Sequence, residues 1–153
     1  PYMLAVKTLK DFRKAIDMLI LEEDAQAFRV LCVAAASLNR SIGYALQNSD
    51  DPDISQMSNE LYYEWKKDEN CIFNTFIHRY RNHVFHDVEL DVEFDIPFFV
   101  IDRDDDIVEF FDNELLYVPF SGFGFGDLDI RDLFEESYSW WLEQFSLLGI
   151  NVE

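Results

Sequence analysis

Apolar positions in the first half of the chain recur at the helical period. Leu9, Phe12, Ile16 and Leu19 step by three and four through residues 4–21, which predicts an amphipathic helix with one buried stripe. Phe28, Leu31, Ala35, Leu38 and Ile42 repeat the pattern over 24–47. Asn48-Ser49-Asp50-Asp51-Pro52-Asp53 collects residues that favour turns, so a helix ends there and a shorter one runs over 54–67. A fourth helix is expected over 69–86, with Phe73, Phe76, Ile77, Tyr80 and Val84 as its core stripe.

The period then falls to two. From Asp87 to Asp95 acidic and apolar residues alternate strictly, the pattern of a half-buried strand. Further short strands are expected at 97–101, 107–111 and 115–120, separated by Asp102–Asp106 and Asp112–Glu114. Ser121–Gly126 reads as a flexible loop. Asp127 or Asp129 then caps a last helix reaching about Leu148. The expectation is one domain over 1–153, mainly α. It is an up-and-down bundle of about five helices: residues 1–86 form the bundle, an acidic antiparallel β-meander over 87–120 is inserted, and 127–149 return to the bundle.

Composition supports a packed fold, because 49% of the 153 residues are hydrophobic and 15 are Phe. No apolar run approaches the roughly 20 residues of a membrane-spanning helix. The opening residues lack the layout of a signal peptide. Cys32 and Cys71 read as small buried thiols, and a reducing cytoplasmic location is the matching expectation.

Charge changes the picture. The formal net charge is −19, and it is unevenly placed. Residues 1–86 hold 10 basic against 12 acidic residues, whereas 87–153 hold only Arg103 and Arg131 against 19 acidic ones. Such a split fits a chain with two faces.

Candidate chemistry lies just before the acidic half, in Arg81-Asn82-His83-Val84-Phe85-His86. A guanidinium can hold a phosphate, and an imidazole titrates near neutrality and can move a proton. Together they fit metal-independent RNA cleavage. On a wheel of about 100° per residue, His78, Asn82 and His86 line the side opposite the core stripe, Arg79 joins them and Arg81 lies on the flank. These groups are therefore expected to face solvent or a second molecule, and a two-fold dimer would bring two sets into one cleft.

Arg81-Asn82-x-x-x-His86 resembles the R-N-x-x-x-H form of the Arg-x(4–6)-His motif of the HEPN superfamily (higher eukaryotes and prokaryotes nucleotide-binding domains). The resemblance covers roughly residues 4–86 and the final helix. It implies an all-helical bundle acting as a dimeric, metal-independent endoribonuclease of a toxin–antitoxin, abortive-infection or other anti-phage system. It also implies that Arg81 binds the scissile phosphate, His86 serves in acid–base transfer, and Asn82 orients imidazole or phosphate. Arg79, His78, Lys66 and Lys67 are the expected positive strip for RNA. The strand insertion is not part of that family's core.

Other chemistries are weaker. His78, His83 and His86 spread around the helix and lack a His-x-x-x-His or Glu-x-x-His partner pattern, so no metal and no cofactor is expected. Asp102, Asp104 and Asp106 open like a calcium loop, but Ile107 and Asn113 stand where its glycine and glutamate belong. Gly122, Gly124 and Gly126 lack the lysine of a phosphate loop. Asp87, Glu89, Asp91, Glu93 and Asp95 would share one strand face at about 6.6 Å spacing, near the phosphate repeat of a nucleic acid. That row defines the alternative: a non-catalytic acidic binding protein (an inhibitor, immunity factor or nucleic-acid mimic) meeting a basic partner, against the plainer role of a solvated edge.

Overall fold

The computed structural model describes residues 3–94, 98–111 and 117–153. Four predicted helices appear close to their expected spans: α1 Met3–Leu21, α2 Ala25–Gln47, α3 Pro52–Lys67 and α5 Ile130–Leu147. The 69–86 segment becomes a π-helical turn, Phe73–His78, running directly into α4, Arg79–His86. β1, Phe98–Ile101, and β2, Ile107–Phe111, pair antiparallel, with Phe98 opposite Phe111 and an irregularity after Val100. The molecule is thus mainly helical with a small two-stranded sheet.

α2 is the hub, in contact with α1, α3, the π turn, α4 and α5. It can be, because small residues on its buried face (Ala35, Ala36, Gly43) admit neighbours closely. A methyl group at Gly43 would meet Trp141 at 3.3 Å and the Arg40 guanidinium at 3.2 Å. The centre is aromatic: Phe12, Phe28, Phe73, Phe76, Tyr80, Phe120, Phe134, Trp141 and Phe145 are almost fully buried. Rings meet mostly edge to face, as between Phe76 and Phe134 at 5.5 Å, the geometry their quadrupoles favour. The two buried indoles are satisfied: Trp141 Nε1 donates to Asn39 Oδ1 and Trp65 Nε1 to Gln144 Oε1, each at 2.8 Å. Both cysteines are free, and Cys32 is buried. Among the described residues no helix is long and apolar enough to cross a membrane.

Capping follows the sequence signals. Asp24, Asp51 and Asp129 each accept a backbone N–H at the first turn of α2, α3 and α5. Asp129 also accepts from the amide of Val118 (3.1 Å) and the guanidinium of Arg131 (2.8 Å), so it ties the returning chain to the helix start. Asp129→Ala is therefore expected to cost about 1–2 kcal/mol, read as a lower urea midpoint with unchanged slope.

The acidic alternation does not produce the predicted strand. Val88 and Asp91 take left-handed backbone, with φ of 58° and 52°, which breaks an extended run. Only Val92 pairs, in an isolated bridge to Phe120. Asp95 lies outside the described residues. Of the last strand candidate, 115 and 116 also lie outside them, and Pro119 and Phe120 make single bridges instead. The meander is thus reduced to one hairpin and a folded-back acidic segment.

Candidate functional site

The π turn decides which way the motif points. Its hydrogen bonds span five residues rather than four, so the segment after it is rotated relative to an ideal helix. Phe73, Phe76, Ile77, Tyr80 and Val84 are still buried as predicted. The expectation that His78 and Asn82 face outward does not hold. His78 is half-buried, its ring stacked on Phe73 at 5.9 Å, and its Nδ1 accepts from Arg40 Nε at 3.2 Å. With Nδ1 accepting, a neutral His78 carries its proton on Nε2, and the Asn82 amide lies 3.2 Å from that nitrogen.

Arg40 is the residue the sequence did not flag. It sits on the buried face of α2, only 3% exposed, with Nη1 lacking any hydrogen-bond partner. Its guanidinium lies over the Tyr44 ring at 3.8 Å and near Phe73 (5.0 Å) and Tyr62 (5.9 Å), so aromatic faces take the place of a counter-ion. Burial pushes its pKa down, and the charge of Arg81 acts in the same direction. A basic residue inside a mixed helical pattern reads as solvent-facing, which is why the periodicity carried no signal for it.

Around Arg40 and His78 gather Arg81, Asn82 and Lys66. Arg81 is half-buried, lies over Phe85 at 4.8 Å and donates to Asn82 Oδ1 at 3.4 Å. Lys66 Nζ is 5.0 Å from the Tyr62 ring, the ring Arg40 also approaches. His78 has its pKa lowered by burial first, then by the charges of Arg40, Lys66 and Arg81. Among the described residues no carboxylate lies within 4.0 Å of Arg40, Lys66 or Arg81. Three cations without an acidic neighbour within that distance make this part of the molecule locally positive in a chain carrying −19.

The depressed His78 has a sign. The unfolded imidazole binds protons more readily than the folded one, so stability is full above the unfolded pKa near 6.5 and is lost as pH falls through that value towards the folded pKa. His78→Gln is expected to flatten this part of the stability–pH curve, measured by urea unfolding between pH 7 and 5.

The remaining expected residues are dispersed. His86 is exposed at the last position of α4. Lys67 turns to Glu64 at 3.4 Å. Arg79 lies over Phe123 of the glycine-rich loop at 4.0 Å, away from Arg40. Asp87, Glu89 and Asp91 turn towards His83, and Glu93 is exposed beside them, so these acids do not form the single ruled row that a strand would have made.

No protein-family model, no curated protein and no solved structure matches this chain.

Proposed function

We propose that the protein is a HEPN-like, metal-independent endoribonuclease of a bacterial toxin or anti-phage defence system, cleaving RNA at a site completed by a second copy. The observation that carries this reading is the uncompensated cluster of Arg40, Lys66 and Arg81 around His78 and Asn82. Such a cluster attracts a phosphodiester, and aromatic packing rather than a carboxylate holds its buried member. Arg81, at the rim, binds the scissile phosphate and steadies the charge that develops on its oxygens. Asn82 and His78 position the phosphate and the Arg81 head group. His86, exposed and unengaged on one protomer, acts in proton transfer across the dimer cleft. The 2′-oxygen attacks phosphorus as its proton leaves, and the 5′-oxygen departs with a proton, giving a 2′,3′-cyclic phosphate and a 5′-hydroxyl end. Incubating the protein with RNA in chelator, and comparing it with Arg81→Ala and His86→Ala, tests the reading.

A second reading rests on the hairpin. Phe99, Ile101, Ile107, Val108 and Phe110 are each more than half exposed, and among the described elements β1 and β2 meet only one another. Together with the Asp102–Asp106 turn they make an apolar arm with an acidic tip, suited to a basic protein partner such as a cognate antitoxin or an immunity target. Salt-sensitive capture of such a partner, with no cleavage of RNA, favours this alternative.

A further inference from the structure

His83 stands apart from the cationic cluster and has gathered different company. Its Nδ1 is 2.8 Å from Asp87 Oδ2, one helical turn on. Its Nε2 is 3.0 Å from Asp91 Oδ2 and 3.9 Å from Glu89 Oε2. The three potential ligand atoms of His83, Glu89 and Asp91 lie within 4.8 Å of one another. The left-handed turns at Val88 and Asp91 produce this proximity by folding the acidic segment back over α4. The ring is closed off on another side by Phe123, edge to face at 5.5 Å, which itself carries the Arg79 guanidinium.

Two details separate this group from an ordinary acidic surface. First, Nε2 is shut off from solvent and makes no hydrogen bond to any described residue, although two carboxylates flank it. When Nδ1–H donates to Asp87, a neutral ring turns a bare lone pair towards two negative oxygens, an arrangement that calls for a cation between them. A proton on Nε2 is the simplest such cation, but its N–H aims at neither oxygen well enough to bond. Second, the ligand spacing suits a metal. Ligands about 2.1 Å from an ion stand roughly 3.0–3.4 Å apart at neighbouring positions, close to the observed 3.0 and 3.9 Å. Asp87 would be the outer carboxylate that fixes the tautomer and orientation of a metal-bound imidazole.

We infer that His83 Nε2, Glu89 and Asp91 form a binding site for a divalent transition-metal ion, with Asp87 as its supporting carboxylate. One imidazole and two carboxylates favour zinc or manganese over the harder magnesium and calcium. The ion would staple the acidic segment to α4. Asp91 is further anchored there by its carbonyl, which accepts from the Ser121 amide at 2.9 Å. The site is independent of RNA cleavage, and the chelator assay above reads the two separately.

Titrating zinc into the chelator-stripped, full-length protein by calorimetry provides the test. One ion per chain with micromolar Kd is expected. His83→Gln and Asp91→Asn should each weaken it at least tenfold, and Glu93→Gln, on an exposed neighbour, should leave it unchanged. Zinc should also raise the thermal midpoint of the native protein and not that of His83→Gln, and nitrogen NMR should show the His83 Nε2 resonance moving while Nδ1 stays protonated. Circular dichroism of the zinc-free variants checks that each is folded, and Glu89→Gln replaces either one that is not. Absence of zinc binding by the native protein, or equal binding by His83→Gln, overturns the site.

Discussion

Arg81→Ala and His86→Ala are each expected to lower chelator-resistant RNA cleavage by about 10²–10⁴-fold while leaving the fold intact. General acid–base transfer contributes about 10²–10⁴-fold, and a cation aimed at developing oxyanion charge contributes about 10²–10³-fold. Neither side chain belongs to the core: His86 is exposed, and Arg81 rests on Phe85 at the surface. The urea midpoint should therefore move little. The double variant should be scarcely worse than the weaker single one, because residues acting on one transition state are not additive. Mixing the two single variants adds a dimer test. If the site is composite, part of the activity returns when a heterodimer supplies one intact Arg81 and one intact His86 to the same cleft. Unchanged cleavage by either variant, measured by single-turnover gel assay, overturns the assignment.

Arg40→Met is expected to leave folding stability within about 1 kcal/mol of the native value and to weaken RNA binding about tenfold. The gain that offsets the lost contacts has a specific origin. Arg40 is buried, and among the described residues its Nη1 has no hydrogen-bond partner and no carboxylate compensates its charge. Replacing a buried, poorly compensated charge by an apolar chain of similar length relieves about 1–3 kcal/mol. The opposing losses are the Nε–His78 bond and the contact with the Tyr44 ring. Each is worth about 1 kcal/mol. The binding loss follows from removing one of the three cations proposed to attract the phosphate, and a tenfold change corresponds to about 1.4 kcal/mol. Urea unfolding and fluorescence anisotropy with RNA at fixed salt measure both. A variant destabilised by more than about 2 kcal/mol would mean that Arg40 serves structure first.

Much of the helical frame was legible because helix burial repeats every 3.6 residues. Leu9, Phe12, Ile16 and Leu19 could be placed on the buried side of α1 from spacing alone, and Asp129 was one of two residues, with Asp127, placed as the cap of α5 from residue type. The site was only half legible. Arg81, Asn82 and His78 were identified, but their orientation was not, because the wheel assumes a constant angle per residue and the π turn breaks that assumption. Arg40 was missed for a different reason. Basic residues are rarely buried, so only the packing of Tyr44, Tyr62 and Phe73 reveals that this one is.

The acidic segment shows the limit most sharply. Alternation of Asp and Glu with Val, Leu and Phe predicts a strand, since period two is what a pleated backbone can bury on one face. A strand also needs a partner edge to take its hydrogen bonds. Here Val92 alone pairs with Phe120, while Val88 and Asp91 turn left-handed and send Asp87, Glu89 and Asp91 to His83.

By itself, then, the sequence determined the approximate spans of α1, α2, α3 and α5, the buried stripes of α1, α2 and the Phe73–Val84 segment, and the −17 balance of the second half, none of which needs a contact between distant parts of the chain. Only the tertiary structure decided that Arg40 meets His78 across 38 positions and that the acidic run closes on His83 instead of extending. Those contacts join elements whose separation along the chain carries no periodic signal. They are chosen by which surfaces pack, and local spacing does not encode that.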